Sequence, residues 1–219
     1  MNLLIIALDA QSLRHAAAVA TGAGMELVGV VAPGWTPPVA QLPAPLITDA
    51  SAQLDRRDCS VHVAGDASML NSKRLVVMLQ HKAAGFRCAT LVAHDATVDT
   101  GVRLRENTLI GCRARVSAGA DVGANVVIGD RAAIGYGARV GQSVWIGRDC
   151  VIGDDCRIGR NCVLGDGVRL ADGCVLEPWS VLAAGYRLGT SPSRTIYIDA
   201  LFRAPVELRG RAVIEGFRP

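Results

Sequence analysis

The sequence is poor in aromatic residues, in net charge and in long apolar runs. Phe, Trp and Tyr make up 4% of its 219 residues, and the formal net charge is only +3. Neither a stacking platform nor a basic groove for nucleic acid is therefore indicated. The most apolar stretches, residues 3–8 and 27–33, fall well short of the roughly 20 residues that a membrane helix needs. These absences predict a compact globular protein without a membrane span.

A signal peptide and paired cysteines are missing too. The first strand-like run carries no basic residue and is soon followed by Asp9, which is atypical of a secretory signal peptide. We therefore expect a cytoplasmic protein. The seven cysteines include no Cys-X-X-Cys pair, and an odd number spaced in this way argues against a disulfide framework or a zinc ribbon.

What the sequence does contain is a repeat of six residues. An aliphatic residue recurs every six positions from Val92 to Leu182, and a second, mostly small residue follows it after four. Two such inward registers fit short strands separated by tight corners, and they do not fit the helical period of about 3.6 residues. Each hexad is predicted to form one face of a triangular coil, with about three hexads in a turn and about five turns.

Four cysteines fall in the small inward register of this repeat: Cys150, Cys156, Cys162 and Cys174. Buried free cysteine usually acts as a small apolar residue, so core packing is the first interpretation. The first three face inward from three sides of about one turn, and a metal site made of their thiols is the alternative. We predict no bound metal.

The segment before the coil has the pattern of a small α/β domain. Residues 3–8 and 26–32 read as strands around an Ala-rich helix at 12–21, and a further strand at 61–64 precedes a helix at 68–84. These features divide the chain into an α/β domain at 1–90, a β-helix at 91–187 and a C-terminal tail or cap at 188–219.

A ligand of such a sheet would lie at the carboxyl ends of its strands. This places Asp9, Gln11, Gly65 and Asp66 at a candidate substrate site. The glycine-rich turn that holds phosphate in many such domains is absent after the first strand. Asp9 is equally well explained as the cap of the helix that follows.

The order of these parts resembles the NeuD/PglD-like sugar O- and N-acyltransferases, the group of the bacterial sialic acid O-acetyltransferases and bacillosamine N-acetyltransferases. The most telling stretch runs from Val63-Ala64-Gly65-Asp66 through a helix to Val92-Ala93-His94-Asp95. The resemblance covers nearly the whole chain. It implies a small Rossmann-like α/β domain followed by a left-handed parallel β-helix. The left hand comes from the resemblance alone, because right-handed crossovers are the general rule in parallel sheets.

The resemblance also implies a homotrimer that binds a nucleotide sugar through the N-terminal domain and acetyl-CoA, or another acyl-CoA, along the coil between subunits. Positional matching puts Trp145, Asp166 and Ala184 along the CoA groove. The tail adds a basic set made of Arg187, Arg194, Arg203, Arg209, Arg211 and Arg218. These arginines either contact the phosphates of the cofactor or form a solvated surface.

The catalytic positions of the family are altered in this sequence. In the family a coil histidine, followed by an acidic residue, takes a proton from the attacking sugar amine or hydroxyl. That position falls here on Tyr136, its acidic neighbour on Gly137 and a second histidine on Trp145. Tyrosine is ordinarily a poor base at neutral pH. His94 remains in the coil, but seven hexads separate it from Tyr136 and place it on a different face.

Two functions are compatible with this pattern, and a third is disfavoured by it. The first is an acyl-CoA-dependent acyltransferase with an altered active site, acting on a nucleotide sugar in surface-polysaccharide biosynthesis. The second, which the missing histidines favour, is a catalytically silent trimer that binds a sugar nucleotide or acts as a scaffold. The third is a metal-dependent hydratase of the carbonic anhydrase kind, which needs three histidines around zinc, whereas the predicted coil contains His94 alone.

Overall fold

The structure is a computed structural model that describes residues 2–37, 42–48, 55–192, 194–198 and the backbone of 206–207. Of Ser68 and Met69 it describes the backbone only. The tail arginines at 203, 209, 211 and 218 lie outside the described residues. No helix in the described part of the chain is long and apolar enough to cross a membrane.

The N-terminal part is a parallel sheet between two helices. Its strands are β1 (Asn2–Ala7), β2 (Glu26–Val31), β3 (Cys59–Ala64) and β4 (Arg87–Cys88), in the order β2-β1-β3-β4. Helix α1 (Ala10–Gly22) packs on one face and α2 (Ser72–Ala83) on the other. Because both faces are covered, β1 is an unbroken apolar run rather than an alternating one.

The second helix differs from the one predicted at 68–84. A 3₁₀ turn at Ser68–Asn71 precedes α2, and Leu70 and Asn71 have positive φ values of 53° and 60°. Two consecutive left-handed residues cannot continue a right-handed helix. The Asn71 side chain leaves this turn to donate a hydrogen bond to the Asn125 carbonyl oxygen in the coil, at 3.1 Å.

From residue 91 the chain forms the parallel coil that the hexads predict. Face 1 consists of β5 (Leu91–Val92), β8 (Leu109–Ile110), β11 (Val127–Ile128), β14 (Trp145–Ile146), β17 (Val163–Leu164) and β20 (Val181–Leu182). Face 2 consists of β6 (Thr97–Val98), β9 (Arg115–Val116), β12 (Ala133–Ile134), β15 (Val151–Ile152), β18 (Arg169–Leu170) and β21 (Arg187–Leu188). Face 3 consists of β7 (Arg103–Leu104), β10 (Asp121–Val122), β13 (Arg139–Val140), β16 (Arg157–Ile158) and β19 (Val175–Leu176). After the coil, β22 (Ile196–Ile198) extends face 1, and β23 (Val206–Glu207) pairs antiparallel with β22.

Each strand of the coil pairs in register with the strand one turn later on the same face. Ile128 lies beside Ile146, for example, and Ile134 beside Ile152. The second residue of most strands is buried in a continuous core, together with the small residue four positions later. We call the corner between faces 1 and 2 the first corner, between faces 2 and 3 the second corner, and between faces 3 and 1 the third corner.

The four coil cysteines belong to this core. Cys150, Cys156 and Cys162 are fully buried, and Cys174 is 2% exposed. Burial raises the thiol pKa to about 11 for Cys150 and Cys156 and to about 12 for Cys162. Their thiols donate hydrogen bonds to backbone carbonyls one turn away, such as Cys150 Sγ to Gly165 O at 3.1 Å. The four cysteines act as small core residues, which confirms the interpretation of core packing.

The outward residues of face 1 explain where the N-terminal domain docks. Leu91, Leu109 and Val127 are apolar and buried against α1 and the sheet, and Trp145 packs at the edge of the same cluster. The equivalent outward positions of faces 2 and 3 include several exposed arginines. Face 1 is therefore the side of the coil whose exposure to water would be most unfavourable.

Candidate functional site

Helix α1 runs along the first corner of the coil and brings the two domains together there. His15 contacts Asp130, and a Cβ added to Gly22 would lie 3.0 Å from His94 Nδ1. His15 and Gly22 are seven residues apart, or about 10 Å along a helix. Asp130 and His94 are two turns apart on the first corner, again about 10 Å at the usual strand spacing. The spacing of His15 and Gly22 along α1 thus matches the spacing of Asp130 and His94 along the first corner.

A small cavity lies at this junction, between α1, the carboxyl end of β3 and face 1. Its volume is about 20 Å³, which is room for a single water-sized group. Its lining consists of Ser12, His15, His62, Ala64, Gly65, Arg74, Leu109, Val127 and Trp145. Two histidines, a serine and an arginine thus line this space together with mostly apolar residues.

His15 and Asp130 form a histidine–carboxylate pair at the edge of the cavity. His15 Nε2 lies 3.1 Å from Asp130 Oδ1, and both side chains are about one-third exposed, at 33% and 28%. A carboxylate can only accept, so Nε2 carries a proton. Asp130 Oδ1 also accepts a bond of 2.9 Å from the Cys112 backbone N–H. The Asp130 carboxylate is thus held by His15 of the N-terminal domain and by the Cys112 backbone of the coil.

His62 is fully buried on β3 and is held in the neutral form. Its Nδ1 lies 2.9 Å from the Ala89 carbonyl oxygen, so Nδ1 carries the proton and Nε2 is an acceptor. Nε2 has no hydrogen-bond partner among the described residues. Burial, followed by the charge of Arg74, lowers the pKa of His62 to about 3. An unpaired buried acceptor of this kind requires an explanation.

Arg74 of α2 fastens the sheet to the coil. It is 1% exposed, and its guanidinium donates to the carbonyl oxygens of Val63 at 3.1 Å, Asn107 at 3.3 Å and Asn125 at 3.4 Å, and to Asn71 Oδ1 at 3.3 Å. Burial lowers the pKa of Arg74 to about 9. Among the described residues, the guanidinium donates only to neutral oxygens.

A ladder of polar side chains at the third corner continues the same attachment. Asn107 Nδ2 donates to Asn125 Oδ1 at 2.8 Å, and Asn125 Nδ2 donates to Ser143 Oγ at 3.0 Å. One turn further, Asn161 Nδ2 donates to the Leu70 carbonyl oxygen at 3.1 Å. The four ladder residues all have positive φ values, between 55° and 59°, a conformation that asparagine tolerates better than most residues.

The residues predicted at the carboxyl edge of the sheet have mixed roles. Asp9 caps α1, since its Oδ1 accepts from Ser12 N at 2.8 Å, while its buried Oδ2 has no partner among the described residues. Gly65 lines the cavity, and a Cβ there would lie 2.9 Å from both Arg74 and Leu8, so glycine permits close packing. Gln11 and Asp66 are exposed and outside the cavity lining.

Trp35 covers part of the same edge and was not anticipated from the sequence. Its indole Nε1 donates to the Ala7 carbonyl oxygen at 2.7 Å, at the end of β1. In this way a side chain occupies the place where the missing glycine-rich turn would begin. The Trp35 indole therefore lies against the carboxyl end of β1, where a ligand of the sheet would bind.

The residues predicted along the CoA groove lie on or beside the first corner. Asp166 and Ala184 occupy the same corner position as Asp130, two and three turns further along, and both are exposed. Asp166 pairs with Arg148, with 2.7 Å between Arg148 Nη2 and Asp166 Oδ2. Trp145 lies on face 1 and lines the cavity. Of these three residues, Trp145 shares the cavity with His15, whereas Asp166 and Ala184 lie further along the first corner.

Tyr136 and Gly137 lie on a different edge of the molecule. Tyr136 is 60% exposed on the second corner, and its backbone N–H donates to Asp154 Oδ1 at 2.8 Å. Gly137 has a φ of 64°. His94, also exposed, lies on the first corner at the far end of α1 from His15. One chain therefore does not bring Tyr136, His94 and the cavity together.

A larger concavity of about 680 Å³ lies elsewhere, between α2 and face 3. It mixes Arg105, Arg139 and Arg157 with Glu106 and Glu177 along an open surface, and it contains none of the predicted site residues. The concavity has the volume that is typical of a small-molecule pocket, whereas the junction cavity is chosen as the candidate site because residues of both domains, several of them polar, line it. Within the described ranges, no three His, Cys, Asp or Glu side chains are grouped so as to hold a metal ion.

Comparisons with known proteins identify both parts of this fold. The family model for the bacterial transferase hexapeptide (six repeats) matches residues 137–172 and, in an overlapping register, 149–184. No curated protein sequence matches the chain.

Two solved structures are similar over most of the chain. The acetyltransferase domain of PglB from Neisseria gonorrhoeae is 19% identical, with a TM-score of 0.80, over 94% of this chain and 99% of that one. A variant of perosamine N-acetyltransferase from Caulobacter crescentus, solved with CoA and GDP-perosamine, is 20% identical, with a TM-score of 0.78, over 90% of this chain and 92% of that one. The expected resemblance and fold, an α/β domain followed by a left-handed β-helix of hexapeptide repeats, are confirmed.

Proposed function

We propose that this chain, which shares its two-part fold with sugar acetyltransferases, is an acyl-CoA-dependent acyltransferase that acts on a nucleotide sugar. The observation that carries the proposal is the junction cavity. It places polar groups of the N-terminal sheet beside the coil corner on which Asp166 and Ala184 lie. The sugar would extend from the sheet, where Asp9, Gln11, Gly65 and Asp66 lie, and acetyl-CoA or another acyl-CoA would lie along the first corner.

The active site in this proposal is an altered one. Tyr136 occupies the position of the family's base and would reach the junction only from a neighbouring subunit, because it lies on the second corner of its own chain. The functional assembly is therefore proposed to be a homotrimer with its coils side by side. Surface-polysaccharide biosynthesis is the proposed setting, supported by the resemblance of the sequence to the NeuD/PglD-like enzymes.

Release of CoA thiol from acetyl-CoA tests this function. The assay uses GDP-perosamine, UDP-linked amino sugars and their hydroxyl counterparts as acceptors, and light scattering gives the mass of the assembly. Acceptor-dependent thiol release by a trimer is expected. A monomeric mass across micromolar concentrations would remove the proposed contribution of Tyr136 from a neighbour.

The second candidate is a catalytically silent trimer that binds a sugar nucleotide. The observation that favours it is the absence of the family's histidines at Tyr136 and Trp145. It predicts calorimetric binding of a GDP- or UDP-linked sugar without thiol release from acetyl-CoA. Turnover therefore separates the two candidates.

A further inference from the structure

Face 2 is the side of the coil that the chain leaves uncovered. The N-terminal domain packs on face 1 and α2 lies beside face 3, whereas no helix packs on face 2 in the described part of the chain. Its outward residues, the first of each strand, lie in register from turn to turn. In chain order they are Thr97, Arg115, Ala133, Val151, Arg169 and Arg187. Face 2 is thus apolar in its middle and basic towards its ends.

The carboxyl-terminal end of face 2 carries two like charges side by side. Arg169 and Arg187 are paired in register on neighbouring strands, and both are exposed. Like charges directly opposite each other destabilise a sheet. At the first corner, by contrast, Asp166 neutralises Arg148. Among the described residues, no carboxylate forms an ion pair with Arg169 or Arg187.

The proposed trimer brings face 2 to its centre. Tyr136 lies on the second corner and would reach the junction of a neighbour, which lies at the first corner of that chain. Such a contact, repeated by threefold symmetry, closes a ring of three coils. Face 2 lies between these two corners and is therefore turned towards the threefold axis, with the N-terminal domains on the outside. Ala133 and Val151, both half-buried, are small enough for three such faces to approach one another.

Face 2 has no carboxylate to neutralise the arginines that would meet at the axis. Three copies of Arg169 and three of Arg187 would lie there, and none of the six outward residues of the face is acidic. The aspartates at the neighbouring corners already have partners. Asp166 pairs with Arg148 at the first corner, and Asp172 accepts a backbone N–H at the second. The counter-charge would therefore come from solution.

We propose that the trimer binds one phosphate-like oxyanion on its threefold axis, between the guanidinium groups of Arg169 and Arg187 from the three chains, and that this anion stabilises the assembly. The inference rests on the trimer of the proposed function and adds a site that no single chain contains. Arginine suits the ligand, because its planar fork donates two parallel N–H groups to the oxygens of one anion. A tetrahedral oxyanion has a threefold axis of its own, which matches three identical sets of donors.

Two other roles for these arginines compete with an axial site. One is contact with the phosphates of CoA, which the sequence left open for Arg187, and the other is a solvated surface. Because CoA is proposed to lie along the first corner of each chain, contact with its phosphates would give one binding site per chain. A solvated surface would give none. An axial site takes one anion for three chains, so stoichiometry separates the three roles.

Inorganic phosphate is the probe. Calorimetric titration of the full chain gives the stoichiometry, and light scattering during dilution gives the concentration at which the trimer dissociates. We expect one phosphate for three chains. In about 10 mM phosphate the trimer should dissociate at a protein concentration at least tenfold lower than in chloride of equal ionic strength, because an anion that binds only the assembly stabilises it. Equal ionic strength keeps general screening of charge the same in both buffers.

A double variant removes the charges of the site. Arg169→Gln with Arg187→Gln should form the trimer in chloride at least as well as the parent, because the repulsion is gone, and it should not respond to phosphate. The matched control is Arg139→Gln with Arg157→Gln, which removes another pair of exposed arginines in register, on face 3 and away from the axis. This control should respond to phosphate as the parent does.

Failure of the inference differs from failure of the proposed assembly. A trimer that binds no phosphate and dissociates equally in chloride and phosphate would overturn the axial site and leave the proposed trimer. One phosphate bound per chain, or a double variant at Arg169 and Arg187 whose trimer is weaker than the parent's in chloride, would also overturn the axial site. A monomeric mass in both buffers would overturn the axial site and the proposed trimer together.

Discussion

The polar ladder at the third corner allows a quantitative test of how much a buried polar column stabilises the coil. The perturbation is Asn125→Ala against Asn125→Gly. Asn125 has a φ of 59°, and its amide bonds to Asn107 and Ser143 at 2.8 and 3.0 Å. Both variants lose these two buried hydrogen bonds, whose net contribution is about 1 kcal/mol each. Alanine in addition suffers about 1–2 kcal/mol of left-handed backbone strain.

Glycine avoids that strain but makes the unfolded chain more flexible, at a cost of about 0.5–1 kcal/mol relative to alanine. We therefore expect both variants to lose roughly 2–4 kcal/mol, with Asn125→Gly more stable than Asn125→Ala by about 0.5–1 kcal/mol. The measurement is urea unfolding at one fixed protein concentration, followed by circular dichroism, because assembly would make apparent stability depend on concentration.

The matched control is Ala118→Gly at the second corner, where the side chain is an ordinary alanine and φ is not positive. At this position Ala118→Gly should be less stable than the parent, because glycine loses more conformational freedom on folding than alanine does. If Asn125→Ala proved as stable as Asn125→Gly, the left-handed corner would not be a source of strain. If both retained parent stability, the hydrogen bonds of the ladder would not contribute to stability.

Three further predictions concern His62, Tyr136 and the core thiols. The pKa of His62 is about 3 in the folded chain, whereas the ordinary value of histidine is about 6.5. As the pH falls below 6.5, the unfolded chain therefore binds a proton at His62 that the folded chain does not bind. The free energy of unfolding of the protein should decrease by up to about 1.4 kcal/mol per pH unit between pH 6.5 and 3. In urea unfolding, His62→Gln should not show this part of the pH dependence. Tyr136→His should raise kcat by about 10²- to 10⁴-fold if Tyr136 occupies the position of the base, and an unchanged kcat would refute that assignment. Cys162, fully buried with its pKa raised to about 12, should escape iodoacetamide in the native protein and react after unfolding; native labelling detected by mass spectrometry would contradict its burial.

The coil could be predicted from the sequence because each hexad repeats one local rule. An inward aliphatic residue and a small residue four positions later are enough to specify one face. Packing of each turn on the next then forms the continuous core. The positive φ values at corners such as Arg131 and Asp149 show that glycine marks only some of the turns. The repeat predicts the corners better than any single residue type does.

The junction could not be predicted in the same way. His15 and Asp130 are 115 residues apart in the sequence, and nothing in their local patterns connects them until α1 is laid along the first corner. The ladder left a readable signal, since Asn107, Asn125, Ser143 and Asn161 recur at intervals of one turn. Polar residues at a fixed interval in an otherwise apolar repeat predict a buried polar column, which is where Arg74 attaches.

The acyl-transfer account depends most directly on the identity of a product. The measurement is mass spectrometry of the nucleotide sugar after incubation of the full chain with acetyl-CoA and GDP-perosamine or a UDP-linked amino sugar, with a parallel incubation that lacks the protein. The account predicts a gain of one acetyl group on the nucleotide sugar when the protein is present and no gain when it is omitted. An unchanged nucleotide sugar, bound tightly by a trimer that leaves acetyl-CoA intact, would contradict it and leave the silent binding protein.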